Sequence, residues 1–191
     1  LGVTATFGVN GIQLSGSILF REGQKTLYGG TAGPGGIEVI LTAGKSPRFS
    51  GNVVFAEGEK TFWGGMVGPG GLAAKLGIDG TAEFSGSMMF AVGEKTIKGG
   101  VAGKDGLTII FGADGALSYV GTLIYAPKTK IDGQRTTLTE VTYGVVKGEF
   151  VPISGQISVA KDTLLEGGQV ALDELVYEAS ADGKLKHISG R

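Results

Sequence analysis

The 191-residue chain contains no cysteine and one histidine, His187. The first absence excludes disulfides, thiolate nucleophiles and cysteine-containing metal sites. The second excludes a metal site built from several histidines of one chain. Excess charge of one sign is missing too: 17 basic residues face 18 acidic ones, a formal net charge of −1, without the cationic footprint of a nucleic-acid binder. No apolar run approaches the roughly 18 residues that a membrane helix needs, so no transmembrane helix is expected. The first residues carry no basic segment followed by a signal-like apolar core. Helical periodicity is scarce. Thr163 to Tyr177 places Leu172, Leu175 and Val176 at helical spacing and predicts one short helix.

Glycine is present in excess. There are 37 glycines, where average usage near 7% would give about 13. With 41% hydrophobic and 18% charged residues the chain can still form a packed core. The glycines follow a repeat. SGSILFREGQKTLYGGTAGPGGI from Ser15, SGNVVFAEGEKTFWGGMVGPGGL from Ser50 and SGSMMFAVGEKTIKGGVAGKDGL from Ser85 align without a gap at a period of 35. Gly121, Tyr125 and Lys130 continue the phase into a fourth unit that is degenerate, the glycines neighbouring Lys130 having gone. A second thread, VNGIQLSG, IDGTAEFSG, ADGALSYVG, VKGEFVPISG and ADGKLKHISG, carries the pattern into a fifth unit from Gly155 to Gly190. Residues 1–191 therefore read as a single repeat-built β domain with units opening near 16, 51, 86, 121 and 155.

Each unit reads as three short strands separated by glycine turns. In the second, Phe49 to Phe55 and Lys60 to Val67 are strands, Gly68-Pro69-Gly70-Gly71 is a turn, and Leu72, Ala74, Leu76 and Ile78 alternate as a half-buried strand. Asn10-Gly11, Asp79-Gly80, Asp114-Gly115 and Asp182-Gly183 are hairpin turns. The expected fold is all-β: a compact antiparallel barrel or sandwich of about five 35-residue three-strand repeats. A β-solenoid or a small-bladed propeller is the alternative. Such short strands argue against a transmembrane barrel, which needs about 9 to 11 residues per strand.

The glycine-rich segments do not make a phosphate loop. Before Gly44-Lys45-Ser46, Val39 stands where that motif requires its first glycine, and Pro47 follows. Gly-x-Lys-Thr recurs at Gly23, Gly58 and Gly93, so Lys25, Lys60 and Lys95 are periodic cations, either anion contacts or lysines that discourage edge pairing. Tyr28, Phe62 and Trp63 share their segment. Tyr28 and Trp63 with the three lysines form the candidate ligand platform, near the Gly-Pro-Gly-Gly loops. His187 stands in the phase of Phe84 and Tyr119, a structural slot. Carboxylates are numerous, but no spacing selects a catalytic pair, and no catalytic residue, metal or cofactor is assigned.

GADGALSYVGTLIY from Gly112 resembles a hairpin of the avidin family, whose up-and-down barrel holds biotin in an aromatic pocket. That family surrounds its ligand with several tryptophans, and this chain has only Trp63. The resemblance implies a hairpin and no ligand.

The function expected first is a non-enzymatic structural or surface protein acting in assembly or adhesion, and the repeat-like chain ends predict a homo-oligomer. The alternative is a binding module for an apolar small molecule or a carbohydrate. An enzyme is less favoured. The compartment stays open, with a secreted or cell-surface location favoured.

Overall fold

The computed structural model describes residues 2–8, 11–131, 133–161 and 173–190. Every regular element among them is a β-strand: β1 (Gly2–Gly8), β2 (Gly11–Phe20), β3 (Thr31–Leu41), β4 (Arg48–Phe55), β5 (Met66–Leu76), β6 (Ala82–Phe90), β7 (Val101–Phe111), β8 (Leu117–Tyr125), β9 (Lys130–Ile131), β10 (Arg135–Thr137), β11 (Val141–Val146), β12 (Glu149–Ser154), β13 (Gln156–Val159), β14 (Leu175–Ala179) and β15 (Leu185–Ser189). Ten strands form one sheet, β1-β2-β3-β4-β5-β6-β7-β8-β11-β12, and five form another, β15-β14-β13-β10-β9. Pairing is antiparallel. The barrel expectation is overturned, because neither sheet closes: β1 and β12 each have one neighbour in theirs. The expected helix also fails where it is described. Leu175 to Tyr177 lie in β14, and Thr163 to Leu172 fall outside the described residues.

A period contributes two long strands, not three. The Gly-Pro-Gly-Gly segments read as turns lie inside β3 and β5, which are each 11 residues long. The β3–β4 register passes from Ala32↔Val53 directly to Ile37↔Gly51, so Gly33 to Gly36 bulge outward opposite Asn52 alone. Asn52 closes the bulge by donating from Nδ2 to the Pro34 carbonyl at 2.6 Å. An even strand number lets a plain meander bring each unit back in the same direction, which removes the reason for a solenoid. The strand-length argument against a membrane barrel lapses with it.

One glycine per unit recurs at the bulge. Gly16, Gly51, Gly86, Gly121, Gly155 and Gly190 all have φ between +93° and +124°. A Cβ on any of them would collide with a backbone carbonyl oxygen, that of Gly36 for Gly51 and that of Glu140 for Gly155. In the degenerate unit the strands break here. β10 and β11 lie on either side of the segment equivalent to the bulge, and Gly155 separates β12 from β13; in both pairs one strand belongs to each sheet. There, and not in β2 to β8, the bulge and glycine positions are where strands change sheet.

The chain divides into two compact units, Leu1–Met88 with Ile110–Leu117, and Met89–Ile109 with Ser118–Arg191. In the first, Val39, Val53, Phe55, Leu72 and Met88 are buried; in the second, Leu107, Ile109, Leu123, Val141 and Ile157 are. The same phases fill both cores. Val53, Met88, Leu123 and Ile157 are equivalent, as are Leu72, Leu107 and Val141.

Candidate functional site

The loop after β2 and its counterparts after β4 and β6 are built alike. Gly23, Gly58 and Gly93 donate to the carbonyls of Ala32, Val67 and Ala102 at 2.8 to 2.9 Å. Lys25, Lys60 and Lys95 then form single bridges with Thr31, Met66 and Val101. At the start of the first two loops, Gln24 accepts from the Arg21 N–H and Glu59 from the Ala56 N–H, both at 2.7 Å. The residue three places beyond the lysine, Tyr28 or Trp63, meets a ring two strands on from the loop's first strand, Phe49 in β4 or Phe84 in β6.

Tyr28, Phe49, Phe62, Trp63, Phe84 and Phe111 form a row of touching rings in the first unit. Centroid separations along it are 5.1, 5.3, 3.8, 4.8 and 4.9 Å. Beside the row lies a cavity of about 350 Å³ lined by Arg48, Phe49, Phe62, Trp63, Leu76 and Ile78, among others. Of the expected ligand platform only Trp63 lines it. Tyr28 packs edge-on against Phe49 instead. Lys25 bonds the Glu59 carboxylate. Lys60 and Lys95 hold the same backbone bridge as Lys25 and do not line the cavity. The Gly-Pro-Gly-Gly segments are not at its mouth either; Pro34 lines a different groove together with Asn52.

No protein-family model, no curated protein and no solved structure matches this chain. Its chemistry is therefore read from its own side chains. Among the described residues no group of three or more His, Asp or Glu side chains could hold a metal ion. The shifted carboxyls serve turns. Lys25 and then the Ala56 N–H hold Glu59 below the usual carboxylate range. The Thr81 hydroxyl and N–H do the same for Asp79. Lys184 and Ser180 hold Asp182 well below it, and Asp182 in turn raises Lys184. His187 packs its ring against Tyr177 at 5.6 Å. No acid–base pair or nucleophile is assembled among these groups.

The pairing in the aromatic row was hidden by its offset. Tyr28 meets Phe49, and Trp63 meets Phe84, each 21 residues on. The next pair in phase is Lys98 and Tyr119, where the ammonium lies 5.7 Å from the ring centre. The signal was present as Phe49, Phe84 and Tyr119 sharing a phase, but which residues face them depends on the loop.

Proposed function

We propose that the protein is a non-enzymatic structural or surface module, a single repeat-built β body of about five 35-residue units that assembles with copies of itself. The observation that carries this reading is the β1–β2 hairpin. Its register, Val3↔Gly16, Ala5↔Leu14 and Phe7↔Ile12, puts Val3, Ala5, Phe7, Ile12 and Leu14 on one face. Thr4, Thr6, Gln13 and Ser15 occupy the other. Such alternation belongs to a strand pair with one dry face, yet Val3, Phe7, Ile12 and Leu14 are 42%, 77%, 65% and 45% exposed.

No residue from 1 to 20 is charged, so two such faces meet without repulsion. Packing one hairpin on its equivalent in a second copy is a two-fold, self-complementary contact. Each large apolar side chain that it buries fully contributes roughly 1.5–3 kcal/mol. Light scattering over a dilution series tests the reading: self-association is expected, and Phe7→Ser with Ile12→Thr should abolish it while leaving the circular dichroism unchanged. A native protein that stays monomeric at every concentration would overturn it.

The cavity beside Trp63 favours a second reading, a pocket for an apolar small molecule. Phe49, Phe62, Trp63, Leu76 and Ile78 supply its apolar lining. Quenching of Trp63 emission by an apolar dye would support it, and an unchanged spectrum at saturating dye would remove it.

A further inference from the structure

We infer that the second unit carries a binding site for an acidic saccharide, a sugar bearing carboxylate or sulfate. The site exists because the repeat departs from itself at one position. Where the first unit packs the rings of Tyr28 and Trp63 against Phe49 and Phe84, this position holds Lys98. Tyr119 stacks instead on Phe150, at 4.2 Å and 15° between planes, and Phe150 leans on Tyr143 at 5.6 Å.

The result is a cleft of about 480 Å³ lined by Lys98, Tyr119, Lys130, Arg135, Tyr143 and Phe150 with neighbouring backbone, a size that suits a small ligand. Its lining includes two lysines, Lys98 and Lys130, in a chain whose overall charge is −1. The Tyr125 hydroxyl donates to the Lys98 carbonyl at 3.0 Å and anchors the loop that presents the ammonium.

The two kinds of group select the ligand together. Ring faces pack on the C–H face of a pyranose, and Lys98 and Lys130 donate charge-assisted bonds to its acid group. A neutral apolar molecule would strip water from the two lysine ammonium groups without replacing it. A bare oxyanion would leave the rings unused. A long phosphate backbone is disfavoured by the overall charge. The inference does not depend on self-association, which the β1–β2 face carries.

Titration calorimetry on the full chain tests it with three probes: a tetragalacturonate, a chondroitin sulfate tetrasaccharide and neutral maltotetraose. Binding of one or both acidic probes is expected, weakening as salt rises, with none of the neutral sugar at equal concentration. The acidic probe that binds shows whether carboxylate or sulfate is the group read. Lys98→Tyr, which restores the residue type of the first unit, should weaken binding roughly tenfold or more, and Lys130→Gln should weaken it independently. Trp63 emission, which reports on the first unit, and the circular dichroism should stay unchanged in both. The inference is overturned if neither acidic probe binds, if maltotetraose or inorganic sulfate binds as well as they do, or if both variants fold and bind like the parent.

Discussion

Trp63 lies edge-on to Phe84 with 4.8 Å between ring centres, and both side chains belong to a row of six rings. Trp63 is the chain's single tryptophan, so its fluorescence reports this row alone. Phe84→Ala takes a half-buried ring from between Trp63 and Phe111 and should cost about 2 kcal/mol, below the range for a fully buried phenylalanine. Chemical unfolding would show the loss, and Trp63 emission should move to the red. An unmoved spectrum would mean that the row is not packed in solution.

The bulge glycine and the turn glycine should respond differently to a methyl group. At Gly86, φ is +117° and a Cβ would fall on the Gly71 carbonyl oxygen; at Gly80, φ is +89° and the space around it is open. Gly80→Ala therefore costs about 1 kcal/mol, for the backbone conformation alone, and Gly86→Ala costs at least about 2 kcal/mol because the sheet must also move. Equal melting temperatures for the two variants would contradict the bulge geometry.

Lys128 offers the opposite experiment. It stands in phase with Gly23, Gly58 and Gly93, has φ +67°, and keeps their hydrogen bond by donating to the Thr137 carbonyl at 2.7 Å. Lys128→Gly relieves a side chain held in the left-handed region and should raise stability by up to about 1 kcal/mol, less the extra freedom that glycine gives the unfolded chain. Thermal melts of the pair decide this, and a drop in melting temperature would count against strain at Lys128.

Acid should loosen the turns. Glu59, Asp79 and Asp182 are each held below their ordinary values, so the folded state binds fewer protons than the unfolded one. Their contribution is fully present above the ordinary carboxylate range and is lost as pH falls through the depressed values. Carboxyl carbon NMR titration should find all three midpoints lowered, Asp182 most. Lys25→Met should return Glu59 toward its ordinary value, and an unchanged midpoint would rule out the ion pair as the cause.

Strand content was legible in the sequence because glycine and apolar residues recur together; Val53, Met88 and Leu123, spaced by 35, are all buried strand residues. The Asp-Gly hairpins were legible for a local reason, since Gly80, Gly115 and Gly183 all take positive φ. The strand count was not. Gly-Pro-Gly-Gly has the composition of a turn, but here the flanking residues pair with one partner strand, and the four residues leave the ladder without reversing it. A structural reading of the three lysines was open in the sequence, but the Lys25 partner was not, because Glu59 lies 34 residues away in the next loop. The cleft in the second unit went unseen because its mark is a departure from the pattern, Lys98 where Tyr28 and Trp63 stand.

The two-strand period has a genetic consequence. Ser50-Gly51 and Ser85-Gly86 stand at equivalent positions of β4 and β6, two strands apart in an antiparallel sheet and so running in the same direction. Recombination between those two points would remove 35 residues and recreate an intact Ser-Gly junction. Every remaining strand would keep its polarity and its buried face, whereas loss of a single strand would invert everything downstream. Length in such a chain can change by unequal crossing-over, one duplication or deletion at a time, while the sites carried by individual units diverge separately.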